Sequence, residues 1–158
     1  MIHSQLIDEY AKGGTDLRIA VRGLSREDLI AYPVPGTWSI QEIVLHLMDS
    51  ELILSDRMKR VIAEENPTLT AFNETLFARN LHYLDQSAED AITIIDLNRQ
   101  NFSRVLTRLP DSAFDRIGMH TERGSMKLLD LLEGANKHLK HHLNFVVDKR
   151  EKLGKMMW

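Results

Sequence analysis

Two histidines, His138 and His142, lie four positions apart near the end of the chain. Residues with this spacing share one face of a helix, with Cβ atoms about 5–6 Å apart, so two imidazoles can coordinate one cation. A third histidine, His46, lies in another strongly helical stretch, residues 40–48. Three neutral imidazoles with a water in the open position form a site suited to catalysis rather than to structural bracing. The pattern predicts a divalent metal site, with zinc or nickel as the first candidates.

All three candidate ligands are predicted to face the protein interior. His138 and His142 extend an apolar stripe that includes Leu131, Ala135 and Val146, whereas His141 falls on the polar side of the same helix. A lone histidine on an apolar face is more often a core residue with hydrogen-bond partners than a metal ligand. From the pattern alone, the metal site and the ordinary core therefore stand as alternatives.

Other polar residues near the histidines are weaker candidates. Asp49, one turn after His46, is a candidate for binding the metal or orienting the nucleophile, and a solvated carboxylate is the alternative. Glu42 is explained by a capping box with Ser39. His120 lies in a loop that contains glycine, where a surface position is commoner than one at the mouth of a pocket.

Four long amphipathic helices are predicted to position these residues. Apolar residues recur at helical spacing through four stretches, near residues 2–23, 39–65, 87–109 and 125–153. Serines at the start of the last three are predicted N-caps, namely Ser39, Ser87 and Ser125. Gly13 and Gly14 weaken the first helix and favour a kink or break there. A short helix after Ser25 and another between residues 69 and 79 are also expected, with almost no strand.

These elements predict an all-α protein built as a four-helix bundle. The segment between the second and third helices, near 20 residues, is too long for a simple hairpin and indicates a crossover connection. At 158 residues, one domain covering residues 1–158 is expected.

The composition limits the kinds of partner that are expected. The net charge is −3, there is no basic block and there is no apolar run long enough for a membrane span, so neither nucleic acid nor a membrane is an expected partner. The chain has no cysteine, which excludes disulfides and a cysteine nucleophile. The first residues lack the pattern of a secretory signal, and a cytoplasmic location is expected.

Two segments resemble the signatures of a known family. Residues 38–47, WSIQEIVLHL, are similar to the W-s-i-x-e-i-l-x-H-l signature of the DinB superfamily. Residues 120–132, HTERGSMKLLDLL, followed by HLKHH at 138–142, resemble its second signature. The resemblance implies a four-helix bundle with a crossover and an open metal pocket. The family's histidine triad maps onto His46, His138 and His142. The resemblance also implies a homodimer, in keeping with the general prevalence of twofold assemblies.

Two functions from different classes follow. The first is a metal-dependent enzyme that acts on a small molecule, in which the metal activates water for hydrolysis or an external low-molecular-weight thiol for group transfer. Thiol transfer is implied by the resemblance, and the thiol has to be diffusible because the chain lacks cysteine. The second is a non-catalytic metal- or ligand-binding bundle, with a stress-associated role as one form of it. An open coordination position that faces a pocket favours the enzyme.

Overall fold

Helices dominate the architecture. A computed structural model describes residues 2–157, and among these residues the chain forms six α-helices, three short strands and two 3-10 turns. The helices are α1 (Ser4–Val21), α2 (Arg26–Ile30), α3 (Ile40–Ala63), α4 (Glu74–Asn80), α5 (Ala88–Leu106) and α6 (Leu128–Lys152). The strands are β1 (Thr68–Leu69), β2 (Ile117–His120) and β3 (Gly124–Lys127). The two ends of the predicted domain, residues 1 and 158, lie outside the described residues.

The four long helices α1, α3, α5 and α6 form the predicted bundle. Helix α1 packs on α5 and α6, and α3 packs on the same two helices, so the four helices surround the core. Each long helix contributes apolar side chains to that core, among them Leu17, Ile43, Ile95 and Leu139. The four-helix bundle predicted from the apolar periodicity is confirmed.

The crossover between α3 and α5 is also present. The side chain of Gln41, at the start of α3, donates to the carbonyl oxygens of Tyr83 and Gln86, just before α5 begins. Further along, Glu51 of α3 pairs with Arg99 of α5 at 2.7 Å. The two helices therefore run parallel, and the chain between them returns along the length of the bundle. Helix α4 lies on this returning segment and packs against α3.

Helix starts follow the predicted caps in α2, α3 and α5. Ser25, Ser39 and Ser87 each accept a hydrogen bond from a backbone N–H in the first turn. The fourth long helix differs, because Ser125 pairs with Met119 in a sheet and α6 begins at Leu128. The prediction of Ser125 as an N-cap was therefore wrong.

A small sheet was not predicted. Strand β2 pairs in parallel with β1 and antiparallel with β3. The alternation in β2 is inverted relative to ordinary strands, because Ile117 and Met119 are exposed while Gly118 and His120 are buried. Strands this short, with their apolar residues facing outward, carry no readable sequence pattern. The sheet lies beside the end of α3, where the Arg116 side chain donates to the carbonyl oxygens of Val61 and Glu64.

Gly13 and Gly14 do not break α1. A Cβ on Gly14 would come within 2.4 Å of the Asp96 backbone in α5, and one on Gly13 would meet the Arg99 guanidinium. The glycines allow the two helices to approach closely, which outweighs their low helix propensity. No helix among the described residues has the length and apolarity required to cross a membrane.

Candidate metal centre

Helix α3 carries the first histidine into the interior. His46 is fully buried, and the ring of Trp38 packs against it with 4.9 Å between ring centroids. The capping box of Ser39 and Glu42 fixes the start of this helix less than two turns before His46. The same face continues through Ser50, Leu54 and Arg57, at helical steps of four, four and three.

Helix α6 supplies the other two histidines. The ring centroids of His138 and His142 lie 4.7 Å apart, and both are about 5 Å from the ring of His46, at 5.0 and 4.8 Å. The Nε2 atoms of His46 and His138 are 3.0 Å apart. One candidate ligand nitrogen from each histidine lies within 4.8 Å of the others, and among the described residues no other set of histidine, aspartate and glutamate groups meets this criterion.

Burial keeps all three imidazoles neutral at pH 7. Desolvation, reinforced by the neighbouring histidines, lowers the pKa of His46, His138 and His142 from 6.5 to about 4. A neutral imidazole has a free lone pair, which is the form that binds a metal ion. The cluster therefore needs no proton release at neutral pH before it can act as a ligand set.

The donor set fits a divalent cation. The Nδ1 atoms of His46 and His142 are buried and have no hydrogen-bond partner within the described part of the chain. Tetrahedral zinc with Zn–N distances of 2.0–2.1 Å requires ligand nitrogens roughly 3.3 Å apart. The 3.0 Å separation of the His46 and His138 nitrogens is close to this value. The convergence of one nitrogen from each of three imidazoles at this spacing supports a metal in this place.

A carboxylate missed by the sequence analysis adjoins the histidines. Glu74 Oε2, in the first turn of α4, lies 3.6 Å from His46 Nε2, and the Glu74 side chain is 58% exposed. Ser50 Oγ is 3.5 Å from the same nitrogen. The N-cap at Asn73 marks the start of α4, but local sequence does not reveal which part of the bundle a crossover helix will cover.

Asp49, the weak catalytic candidate, is engaged elsewhere. Its Oδ2 accepts a hydrogen bond of 2.5 Å from the hydroxyl of Tyr83, whose pKa is raised by burial and by this carboxylate. Asp49 does not belong to the histidine cluster described above. Its role in orienting a nucleophile stays a prediction, and Glu74 is the carboxylate that the fold places beside His46.

The other histidines near α6 have distinct surroundings. His141 is exposed, as predicted, and stacks edge-on against Phe145. His120 is 6% exposed, which corrects the expected surface position. Its Nδ1 accepts hydrogen bonds from the backbone N–H groups of Glu122 and Arg123, so it holds the β2–β3 turn rather than a metal.

The cluster opens onto clefts on two sides. One cleft of about 180 Å³ has a mixed polar lining that includes His138, Glu74, Arg57, Arg123 and Leu54. A second, of about 300 Å³, has a largely apolar lining and reaches His142. Its walls include Val34, Trp38, Ile43 and Phe145. The histidines therefore border two compartments of different chemistry.

Sequence comparison places this bundle and its histidine cluster in a known family. The family profile of the DinB superfamily matches residues 9–146, so the chain belongs to the DinB superfamily. The family resemblance noted in the signature segments is thereby confirmed.

Particular relatives carry a functional name. A protein of Oceanobacillus iheyensis is 28% identical over 127 residues, which cover 80% of this chain and 73% of the relative. A protein of Geobacillus kaustophilus is 28% identical over 141 residues, which cover 89% and 79% of the two chains. Both bear the name "putative metal-dependent hydrolase".

A solved structure has the same fold. YfiT from Bacillus subtilis superposes with a TM-score of 0.89 at 20% identity, covering 95% of this chain and 86% of its own. It is described as "a probable metal-dependent hydrolase with an unusual four-helix bundle topology". At this identity the likeness establishes the fold, which agrees with the bundle and crossover described above.

Proposed function

We propose that this protein is a metal-dependent hydrolase of a small molecule, with His46, His138 and His142 as the metal ligands. The observation that carries the proposal is the convergence of three neutral imidazoles, one buried and two half-buried, at a point bordered by a cleft. The functional name shared by the relatives supports hydrolysis. The cleft beside His138 favours chemistry over the alternative of a closed, non-catalytic site.

A divalent cation held by three imidazoles would polarise the bond under attack and make a water nucleophile available near pH 7. The protein's own residues do the rest. Glu74 is exposed to the cleft and close to His46, so its carboxylate can accept the proton of the attacking water. Ser50, 3.5 Å from His46 Nε2, can donate a hydrogen bond that orients that water.

The test is hydrolysis by tag-free protein loaded with zinc or nickel, assayed against a panel of carboxylate esters and phosphodiesters. Glu74→Gln keeps the shape of the side chain but removes the proton acceptor. We expect kcat to fall by about 10²–10⁴-fold with metal content retained. Glu65→Gln, an exposed carboxylate beyond the end of α3, is the matched control and should keep wild-type kcat. An inactive loaded wild type across the panel, or full activity in Glu74→Gln, would contradict this assignment.

Thiol transfer is the second candidate, and the two clefts favour it. His138 lines the polar cleft and His142 lines the apolar one, so two different molecules can reach the same centre through different clefts. A transferase needs such an arrangement for a thiol and an electrophile. An assay with low-molecular-weight thiols and an electrophilic acceptor separates the two functions. Product that appears only when thiol is added favours transfer, and product without thiol favours hydrolysis.

The zinc or nickel assignment and the homodimer belong to the same proposal. Metal analysis of protein purified without a histidine tag identifies the ion. Light scattering at tens of micromolar tests the dimer, and a mass of 18.2 kDa at all concentrations would show a monomer instead.

A further inference from the structure

Two arginines in the polar cleft stand apart from the metal ligands. Arg57 is on the same face of α3 as His46, and Arg123 is in the turn between β2 and β3. Both line the cleft that contains His138 and Glu74, and both also line the adjoining cleft beside Phe72 and His120. Two segments far apart in sequence thus bring two guanidinium groups to one surface.

Arg57 is buried, and not all of its N–H donors have a hydrogen-bond acceptor. It is 8% exposed, and one of its terminal nitrogens donates to the carbonyl oxygen of Thr70 at 2.5 Å. Its Nε is buried and has no partner among the described residues. A buried, charged side chain with an unpaired donor is costly, and because Arg57 lines the cleft, an anion bound there would lower this cost.

Arg123 brings a second positive charge to the cleft and does not neutralise that of Arg57. It is exposed, and within the described residues its guanidinium makes no ion pair. Burial, and then the charge of Arg123, lower the pKa of Arg57, while Asp56 and Glu122 act in the opposite direction. Both guanidinium groups remain charged at neutral pH, because even a lowered arginine pKa is far above 7. Two cations that repel each other across a cleft are stabilised by an anion between them.

The acidic residues of the cleft are committed elsewhere. Glu74 is directed to His46, and Asp130 accepts the backbone N–H of Lys127 at the start of α6. Neither forms an ion pair with the two arginines in the described structure. The cleft therefore presents its positive charge to an incoming molecule.

We infer that Arg57 and Arg123 form an anion subsite that binds a carboxylate or phosphate group of the substrate, away from the reacting bond. Arg57 lies eleven residues after His46, about 16 Å along the helix axis. Its side chain leans back toward the helix N-terminus, and so toward His46. The substrate class is accordingly an elongated small molecule, with the reacting bond at the histidine centre and an anionic group at the other end. As a statement about substrate, this inference rests on the proposed hydrolase function.

The experiment measures anion binding directly and does not depend on activity. The full chain, loaded with zinc, is titrated with inorganic phosphate and separately with acetate, and the Nε–H resonance of Arg57 is followed by NMR. We expect this resonance to move with at least one of the two anions. A response to phosphate alone identifies a phosphate-bearing substrate, and a response to acetate alone identifies a carboxylate. Movement with neither anion overturns the inference.

Charge-matched variants test the pair. Arg123→Gln removes a guanidinium that forms no ion pair among the described residues, so the variant should fold normally and bind the anion at least tenfold more weakly. Arg104→Gln removes an equal charge from the exposed face of α5 and should bind like wild type. Unchanged affinity in Arg123→Gln, or equal loss in both variants, would overturn the subsite.

Repeating the titration on metal-free protein separates the subsite from the metal centre. The Arg57 resonance should still respond, because neither arginine is a proposed metal ligand. If an ester is hydrolysed, Arg123→Gln should raise KM about tenfold for an ester with an anionic group and leave KM unchanged for a neutral one. If no ester is hydrolysed, the proposed function fails while the binding result still decides the subsite.

Discussion

One buried imidazole and two half-buried ones in the same place cost free energy unless something binds their lone pairs. His46 has no exposed surface, and the buried Nδ1 atoms of His46 and His142 lack partners in the described structure. Orphaned buried donors or acceptors cost about 1–3 kcal/mol each. A shared cation would bind one convergent nitrogen of each ring, and its binding free energy would offset part of the cost of burying the cluster.

The two neighbouring histidines of α6 provide a matched test. His142→Ala should abolish stoichiometric metal binding, because it removes one of three convergent ligands. His141→Ala should retain it, because the His141 ring is exposed and packs on Phe145. Metal content after dialysis, measured by elemental analysis, checks both. Equal loss in both variants, or in neither, would show that the wrong face of α6 has been assigned to the metal.

Helix α1 depends on close contact with α5. Glu51 and Arg99 form a buried ion pair, to which Tyr10 contributes a hydroxyl donor. Arg99 also packs over the Tyr10 ring at 4.6 Å from its centroid. This polar network joins α1, α3 and α5, and it requires a small residue at Gly13, where a Cβ would meet the Arg99 guanidinium.

Glycine-to-alanine changes in two helices separate packing from helix propensity. Gly14→Ala should lower the free energy of unfolding by at least about 1–3 kcal/mol, because its Cβ would overlap the Asp96 backbone. Gly134→Ala in α6 should raise it by up to about 1 kcal/mol, because a Cβ there meets nothing within 4 Å. Urea unfolding of both variants measures the difference. A Gly14→Ala protein as stable as wild type would mean that α1 and α5 are not in such close contact.

The whole molecule is held together by connections from distant parts of the chain. Arg150, near the end of α6, donates to the carbonyl oxygens of Ala20 and Arg22 at the end of α1. Near the other end of the bundle, Asn136 donates to Leu6. Because α1 and α6 are joined at two well-separated points, we propose that the chain unfolds as a single domain in one cooperative transition.

The stability of the metal-free protein should decrease as the pH is lowered through a defined window. The pKa of each clustered histidine is about 4 in the folded protein and 6.5 when unfolded. Between these values the unfolded chain binds protons that the folded chain does not, so acid favours unfolding. The Tm should be steady above pH 6.5 and decline as the pH falls toward 4. At each pH, unfolding should occur in one cooperative transition.

Variants assign this decline to the cluster. His142→Ala should show a shallower loss of Tm between pH 6.5 and 4, because it removes one of the depressed groups. His141→Ala should keep the slope of the wild type, since that side chain is exposed. Differential scanning calorimetry in the presence of a chelator provides the measurement. A Tm independent of pH over this range in the wild type would contradict the neutral, buried state of the histidines.

Local sequence determined the four long helices, the caps of two of them and the inward face of the histidines. Apolar spacing and serine caps are local signals, because the hydrogen bonds and side-chain faces of a helix involve residues three or four positions apart. The i, i+4 pair of His138 and His142 was readable for the same reason. The start of α6 could not be predicted locally. Ser125 lies in strand β3 and pairs with β2, a contact that depends on the tertiary structure.

Only the tertiary structure decided what stands opposite the histidines. Glu74 reaches His46 because the crossover carries α4 back along α3, and Arg123 meets Arg57 because the β2–β3 turn folds beside that helix. Gly13 and Gly14 are predicted helix breakers in isolation, and the approach of α5 gives them a packing role. Contacts between segments dozens of residues apart depend on how the whole core is filled, and no short stretch of sequence carries that information.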